Sequence, residues 1–134
     1  MPTRSDVAYL DSSALVKLIV EETESQALRR TLAAWPRRAS SRISVVEVLR
    51  AVRRRDRSAE PLARSVLAHV ALLAVGDRVL MAAGQFDPPP LRALDAIHLA
   101  SALRCGGSLA AFVTYDDRQL EAAETFGLPV TSPR

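Results

Sequence analysis

Two short apolar runs constrain the fold of this chain more than any other feature. VAYLD (7–11) and LAAFVTYD (109–116) each start as a run too short for a buried helix, end on an aspartate, and pass directly into a helical pattern. A run that is apolar on both sides of a strand is covered on both faces. Strands alternating with helices then call for a parallel or mostly parallel sheet with helices on each side. The rest of the chain fits that alternation. SSALVKLIVEE, opened by a serine suited to an N-cap, reads as a helix, and so does SQALRRTLAAW, stopped by Pro36. SVVEVLRAVRRR, with Ser44 as its cap, and AEPLARSVLAHVALL, with Pro61 near its first turn, are further helices. GDRVLMAAGQF, LRALDAIHLASALRC and DRQLEAAETFG complete the set, while RRASSRIS, VALLAV (70–75) and LPVTSP supply the remaining strands. FDPPPL holds the approach to the LRALDAIHLASAL helix extended. The expected fold class is α/β, a three-layer sandwich around a central, mostly parallel sheet.

A length of 134 residues suits one domain, 1–134, with one hydrophobic core. Cys105 is the only cysteine, which excludes an intrachain disulfide and a cysteine-cluster zinc site. No apolar stretch reaches the roughly 18 residues of a membrane span, and MPTRSDVAYLD lacks a signal-peptide pattern. A reduced, cytoplasmic setting is expected, with no membrane partner. Seventeen of the 18 basic residues are arginine and the net charge is +3, so a polyanion is a permitted partner.

Four acids stand where acids are costly. Asp11 and Asp116 end apolar strands, at the carboxyl edge where open α/β sheets bind ligands. Glu47 lies between Val45-Val46 and Val48-Leu49, and Asp95 between Leu94 and Ala96-Ile97. Each has an ordinary explanation. A strand-ending aspartate caps the next helix, Asp117 can do so in place of Asp116, and Glu47 can close a capping box with Ser44. Asp95 is harder to dismiss, because aspartate is a poor helix-interior residue. Taken together, four clustered carboxylates repel one another. A hard divalent cation such as Mg²⁺ or Mn²⁺ relieves that repulsion and brings phosphodiester chemistry with it. With those four set aside, eighteen bases face eleven acids, which suits a polyanion with a metal at its cleavage point.

YLDSSALVKLI, SVVEVLRAVRR, LRALDAIHLASAL and FVTYDDRQLEAAETFGLPV resemble, in order and spacing, the PIN domain ribonucleases, and most of all the VapC-type toxins of bacterial toxin–antitoxin systems. The resemblance implies Mg²⁺- or Mn²⁺-dependent endonucleolytic cleavage of RNA. It implies Asp11, Glu47, Asp95 and Asp116 as the catalytic acids, with Asp11, Asp95 and Asp116 nearest the metal and Glu47 acting on water. Ser13 and Thr114 match the residues that support the acids. The resemblance also implies a VapB-like antitoxin, a homodimer and a toxin–antitoxin hetero-oligomer.

Other readings were weighed against these residues. A non-catalytic RNA- or protein-binding module on the same fold would leave the four acids without a task. An aspartyl phosphotransferase would want a second acid where Ser13 stands, and a phospho-receiver an acidic pair upstream of the strand. The basic stretch RAVRRRDR (50–57) is expected to be a solvated helix end, His98 a packed or hydrogen-bonded residue, Trp35 part of the core or a docking surface, and Glu21 and Glu22 solvent-facing.

Overall fold

A computed structural model describes residues 5–87 and 91–134. The extended connection expected around Pro88, Pro89 and Pro90 therefore lies outside the described residues. The chain runs β1 (Val7–Leu10), α1 (Ser12–Lys17), α2 (Ser25–Leu32), β2 (Arg37–Ser41), α3 (Ser44–Arg55), α4 (Glu60–Ala68), β3 (Ala71–Leu73), α5 (Asp77–Gly84), α6 (Ala93–Leu103), β4 (Leu109–Val113), α7 (Asp117–Thr125) and β5 (Val130–Thr131). Short 3-10 turns at Arg57–Ala59 and Gly106–Ser108 join neighbouring elements. The five strands form one sheet in the order β3-β2-β1-β4-β5, and every pair is parallel. The expected fold class is the observed one.

Two apolar layers sandwich the sheet. Successive side chains of a strand point to opposite faces. Ala8 and Leu10 accordingly join Leu15, Leu28, Val48 and Leu67 of the helices α1 to α4 on one side. Val7 and Tyr9 join Leu99, Ala102 and Ala123 of α6 and α7 on the other. In β4, Leu109 and Phe112 share the second layer despite their odd spacing, because the β1–β4 register slips by one residue between Leu109 and Ala111. Trp35 packs against the first layer. Among the described residues no helix is long and apolar enough to cross a membrane.

Three local expectations change. α1 ends at Lys17 instead of running to Glu22. The β-branched residues Val16, Ile19 and Val20 hold helix weakly, and Lys17 turns back to pair with Glu22 and Glu24. The cap of α1 is Asp11, whose carboxylate accepts from Ala14 N–H, and not a serine. The cap position of α3 falls on Ile43, while Ser44 hydrogen-bonds Ser40 inside the protein at 2.7 Å.

Candidate active site

The strand order places a topological switch point between β1 and β4: the chain winds outward through β2 and β3 on one side of β1 and through β4 and β5 on the other. Open parallel sheets form their binding crevice outside the carboxyl ends of such strands. Asp11 follows β1 directly, and Asp116 comes three residues after β4. Asp11 N–H donates to Val113 O at 3.2 Å, so the ladder carries Asp11 to the rim.

Asp11 is buried and fully engaged. Its Oδ1 accepts from the Ser13 hydroxyl (2.6 Å) and from Ala14 N–H (3.1 Å), and its Oδ2 accepts from the Thr114 hydroxyl. Those hydroxyls are positioned in turn. Ser13 Oγ accepts from Tyr115 N–H at 2.9 Å, and Thr114 Oγ1 from Asp116 N–H at 3.1 Å. Burial still outweighs these donors and the nearby His98, and pushes the Asp11 carboxyl above its ordinary value.

Asp116 caps α7 through Oδ1, which accepts from the N–H groups of Arg118 (2.9 Å) and Gln119 (3.2 Å). Its Oδ2 takes no bond from a described residue. Asp117 is exposed in the first turn of α7, so Asp116 is the member of the pair at the rim. Asp95 lies in the first turn of α6, not in mid-helix, because that helix starts at Ala93. A carboxylate suits that end of the helix dipole, yet partial burial and the charges of Asp116, Asp11 and Glu47 hold Asp95 above its ordinary value. The four acids thus lie near enough that the charges of Asp116, Asp11 and Glu47 all act on Asp95.

Glu47, on α3, does not close a capping box. Its Oε1 accepts from His98 Nε2 at 2.7 Å. His98 is buried, and its other nitrogen meets the Tyr9 hydroxyl at 2.8 Å. Gln119, also buried, donates from Nε2 to the Asp95 carbonyl at 3.1 Å and so ties α7 to α6. Neither Tyr9 nor Gln119 stands out in the sequence. Tyr9 reads as a core aromatic and Gln119 as a helix-surface amide, and their partners lie 89 and 24 residues away.

Among the described residues no lysine or arginine lies within ion-pair distance of these four acids. The donor set is hard oxygen without a basic neutraliser, which fits Mg²⁺ or Mn²⁺. No three acidic, histidine or cysteine side chains among the described residues are close enough to make a closed cage.

The PIN domain family matches residues 8–125. The chain belongs to the PIN domain family. It is 51% identical over 125 residues to Ribonuclease VapC46 of Mycobacterium tuberculosis, covering 93% of this chain and 96% of that one. It is 42% identical over 132 residues to Ribonuclease VapC35 of the same organism, with the same coverage. Among solved structures, M. tuberculosis VapC20, a sarcin-ricin loop cleaving toxin, superposes with a TM-score of 0.75 at 17% identity, covering 94% of this chain and 99% of that one. A toxin–antitoxin complex from Klebsiella pneumoniae gives 0.72 at 22% identity, covering 95% and 98%.

The acid rim of this PIN domain opens into a groove of about 820 Å³ between α1 and α3. Ser13 and Glu47 line its acidic end, and Lys17, Arg50, Arg54 and Arg55 line the rest. Glu47, Arg50 and Arg54 follow helical spacing along one face of α3. Arg55 is bound to Glu22, whereas Arg50 and Arg54 pair with no acid among the described residues. Glu22 is consequently half-buried between Lys17 and Arg55 instead of solvent-facing, while Glu21 is exposed and pairs with Arg29.

Proposed function

We propose that this PIN domain, spanning residues 1–134, is a metal-dependent endoribonuclease that hydrolyses RNA phosphodiester bonds and serves as the toxin of a toxin–antitoxin pair. One observation carries this reading: at the switch point of a parallel sheet, the charges of Asp116, Asp11 and Glu47 all act on Asp95, with no lysine or arginine among the described residues paired to any of them. The 51% identity to a ribonuclease supports it.

Asp11, Asp95 and Asp116 are the residues that would hold Mg²⁺ or Mn²⁺, and a cation bound there would neutralise charge at the phosphodiester oxygens and make water a better nucleophile. Glu47 orients the attacking water and takes up its proton. Ser13 and Thr114 keep both oxygens of Asp11 aimed. Arg50 and Arg54 hold backbone phosphates that leave the rim along α3, and their guanidinium groups suit that contact. The resemblance to VapC-type toxins supports a homodimer, a VapB-like antitoxin as partner in a hetero-oligomer, and action in the cytoplasm, where a single free cysteine is at home.

The test is cleavage of an RNA oligonucleotide in Mn²⁺ by the wild-type protein and by Asp11→Asn. The wild type cuts, and the variant, folded by circular dichroism, loses at least about 100-fold in rate, since it removes a proposed metal ligand and not merely its support. A folded Asp11→Asn protein that cuts at the wild-type rate would overturn the assignment.

A further inference from the structure

Glu47 is not a buried group in need of a partner. Its side chain is 21% exposed and water could satisfy it, yet it is held at 2.7 Å by a histidine that is 1% exposed. Fixing a long, partly solvated side chain costs rotamer entropy, so this bond constrains where the carboxylate points. A carboxylate has only acceptors to offer, so His98 Nε2 carries the proton between them. The Tyr9 hydroxyl sits on the other nitrogen. An ordinary phenol is protonated at neutral pH, so this hydroxyl has a proton to donate. The Tyr9 ring is fixed by near-parallel stacking on Phe112, 5.3 Å between centroids, and by an edge contact with the imidazole. With Nε2 donating to Glu47, Nδ1 is the nitrogen left to accept from the Tyr9 hydroxyl.

Tyr9 is two residues from Asp11 on the same strand. The path Glu47–His98–Tyr9 thus indexes a carboxylate on α3 to the strand that carries the buried Asp11, by way of α6, the helix that carries Asp95. An apolar side chain would suit the burial at position 98 but could not make this link.

We infer that His98 is a positioning residue of the nuclease, a tautomer-fixed tether held by Tyr9 that orients Glu47 toward Asp11. This inference rests on the nuclease reading above, and one arm of its test does not depend on activity.

That arm is nitrogen-15 NMR of the metal-free protein. Wild-type His98 is expected to be protonated on Nε2 and bare on Nδ1, and Tyr9→Phe is expected to shift the Nδ1 resonance by removing the hydrogen bond to it. A wild-type ring carrying its proton on Nδ1 would overturn the tether. The kinetic arm compares His98→Leu, His98→Gln and Tyr9→Phe on RNA in Mn²⁺. His98→Leu is expected to lower kcat about 10- to 100-fold, the usual effect of losing a group that orients an active residue, with KM for RNA unchanged. His98→Gln, whose amide can still donate toward Glu47, recovers most of the loss, and Tyr9→Phe falls between them. Full kcat in His98→Leu, or a His98→Gln protein as slow as His98→Leu, overturns the inference while leaving a cleaving wild type, and so the nuclease reading, intact. A wild type with the expected tautomer and no cleavage defeats the nuclease reading, and with it the role assigned to His98.

Discussion

Two groups of acids in this molecule respond to folding in opposite ways. At the acid rim, Asp11 and Asp95 are held above their ordinary carboxyl values by burial and, for Asp95, by their fellow acids. Around Lys17, at the far end of α1 from Asp11, Glu24 is held below its ordinary value by the Lys17 ammonium, and Glu21 likewise by Arg29. The second group is a set of acids each given a base, as surface structure requires. The first is a set of acids given to one another, an arrangement that folding alone would not favour. The difference separates the carboxylates proposed to meet a cation from those that pair with a base at the surface.

The sign of the pH response follows. For Asp11 and Asp95, whose folded values are raised, the stabilising contribution is complete below the model-peptide value of 3.8 and is lost as pH rises through the folded values. For Glu21 and Glu24, whose folded values are lowered, the contribution is present above 4.5 and lost as pH falls through the folded values.

The contrast can be pressed at several points. The largest effect is expected from the cation itself: saturating Mg²⁺ or Mn²⁺ raises the Tm of the wild type by several degrees through binding to the folded state, and Asp95→Asn largely removes that rise in a thermal scan. Next is substrate grip. Replacing Arg50 and Arg54 together by alanine is expected to weaken RNA binding and to reduce the salt slope of log K by about 1.4, from about 0.7 for each single-strand phosphate contact, measured by fluorescence anisotropy from low to high salt. Replacing the exposed Arg53 and Arg57 instead should leave the slope nearly unchanged. Smaller again is the metal-free stability of Asp95→Asn, expected to exceed the wild type at neutral pH by about 1–3 °C for a half-exposed, solvent-screened group. That advantage closes as the pH falls below 3.8, where Asp95 becomes neutral in both states. The smallest belongs to the paired group: Glu24→Gln is expected to lower the neutral-pH Tm slightly, the opposite sign to Asp95→Asn. If the two substitutions moved Tm in the same direction, the contrast between paired and unpaired acids would fail.

Much of the rim was legible in the sequence because local patterns expose it. VAYLD and FVTYD end apolar strands on acids, and Glu47 and Asp95 interrupt apolar stretches. The alternation of strands and helices was enough to give a parallel sheet. Local pattern could not assign caps where two neighbouring residues compete. Asp11 caps α1 where a serine was expected, because Ser13 is occupied with Asp11 and with Tyr115. Ser44 is drawn inward by Ser40. α1 also stops at Lys17 although its periodicity continues, since the pairing of Lys17 with Glu22 and Glu24 bends the chain there. The links that aim the acids, His98 to Glu47, Tyr9 to His98 and Gln119 to Asp95, join residues far apart in the chain. Nothing in the local spacing distinguishes His98 from an ordinary core histidine.

The most direct test of the rim as a cation-dependent catalytic centre is RNA cleavage followed while Mn²⁺ is titrated into chelator-treated protein, wild type beside Asp95→Asn. Cleavage is expected to be absent without the cation, to rise and saturate with Mn²⁺ in the wild type, and to stay near background in the folded variant. Cleavage that persists in excess chelator, or that saturates equally in Asp95→Asn, would contradict it.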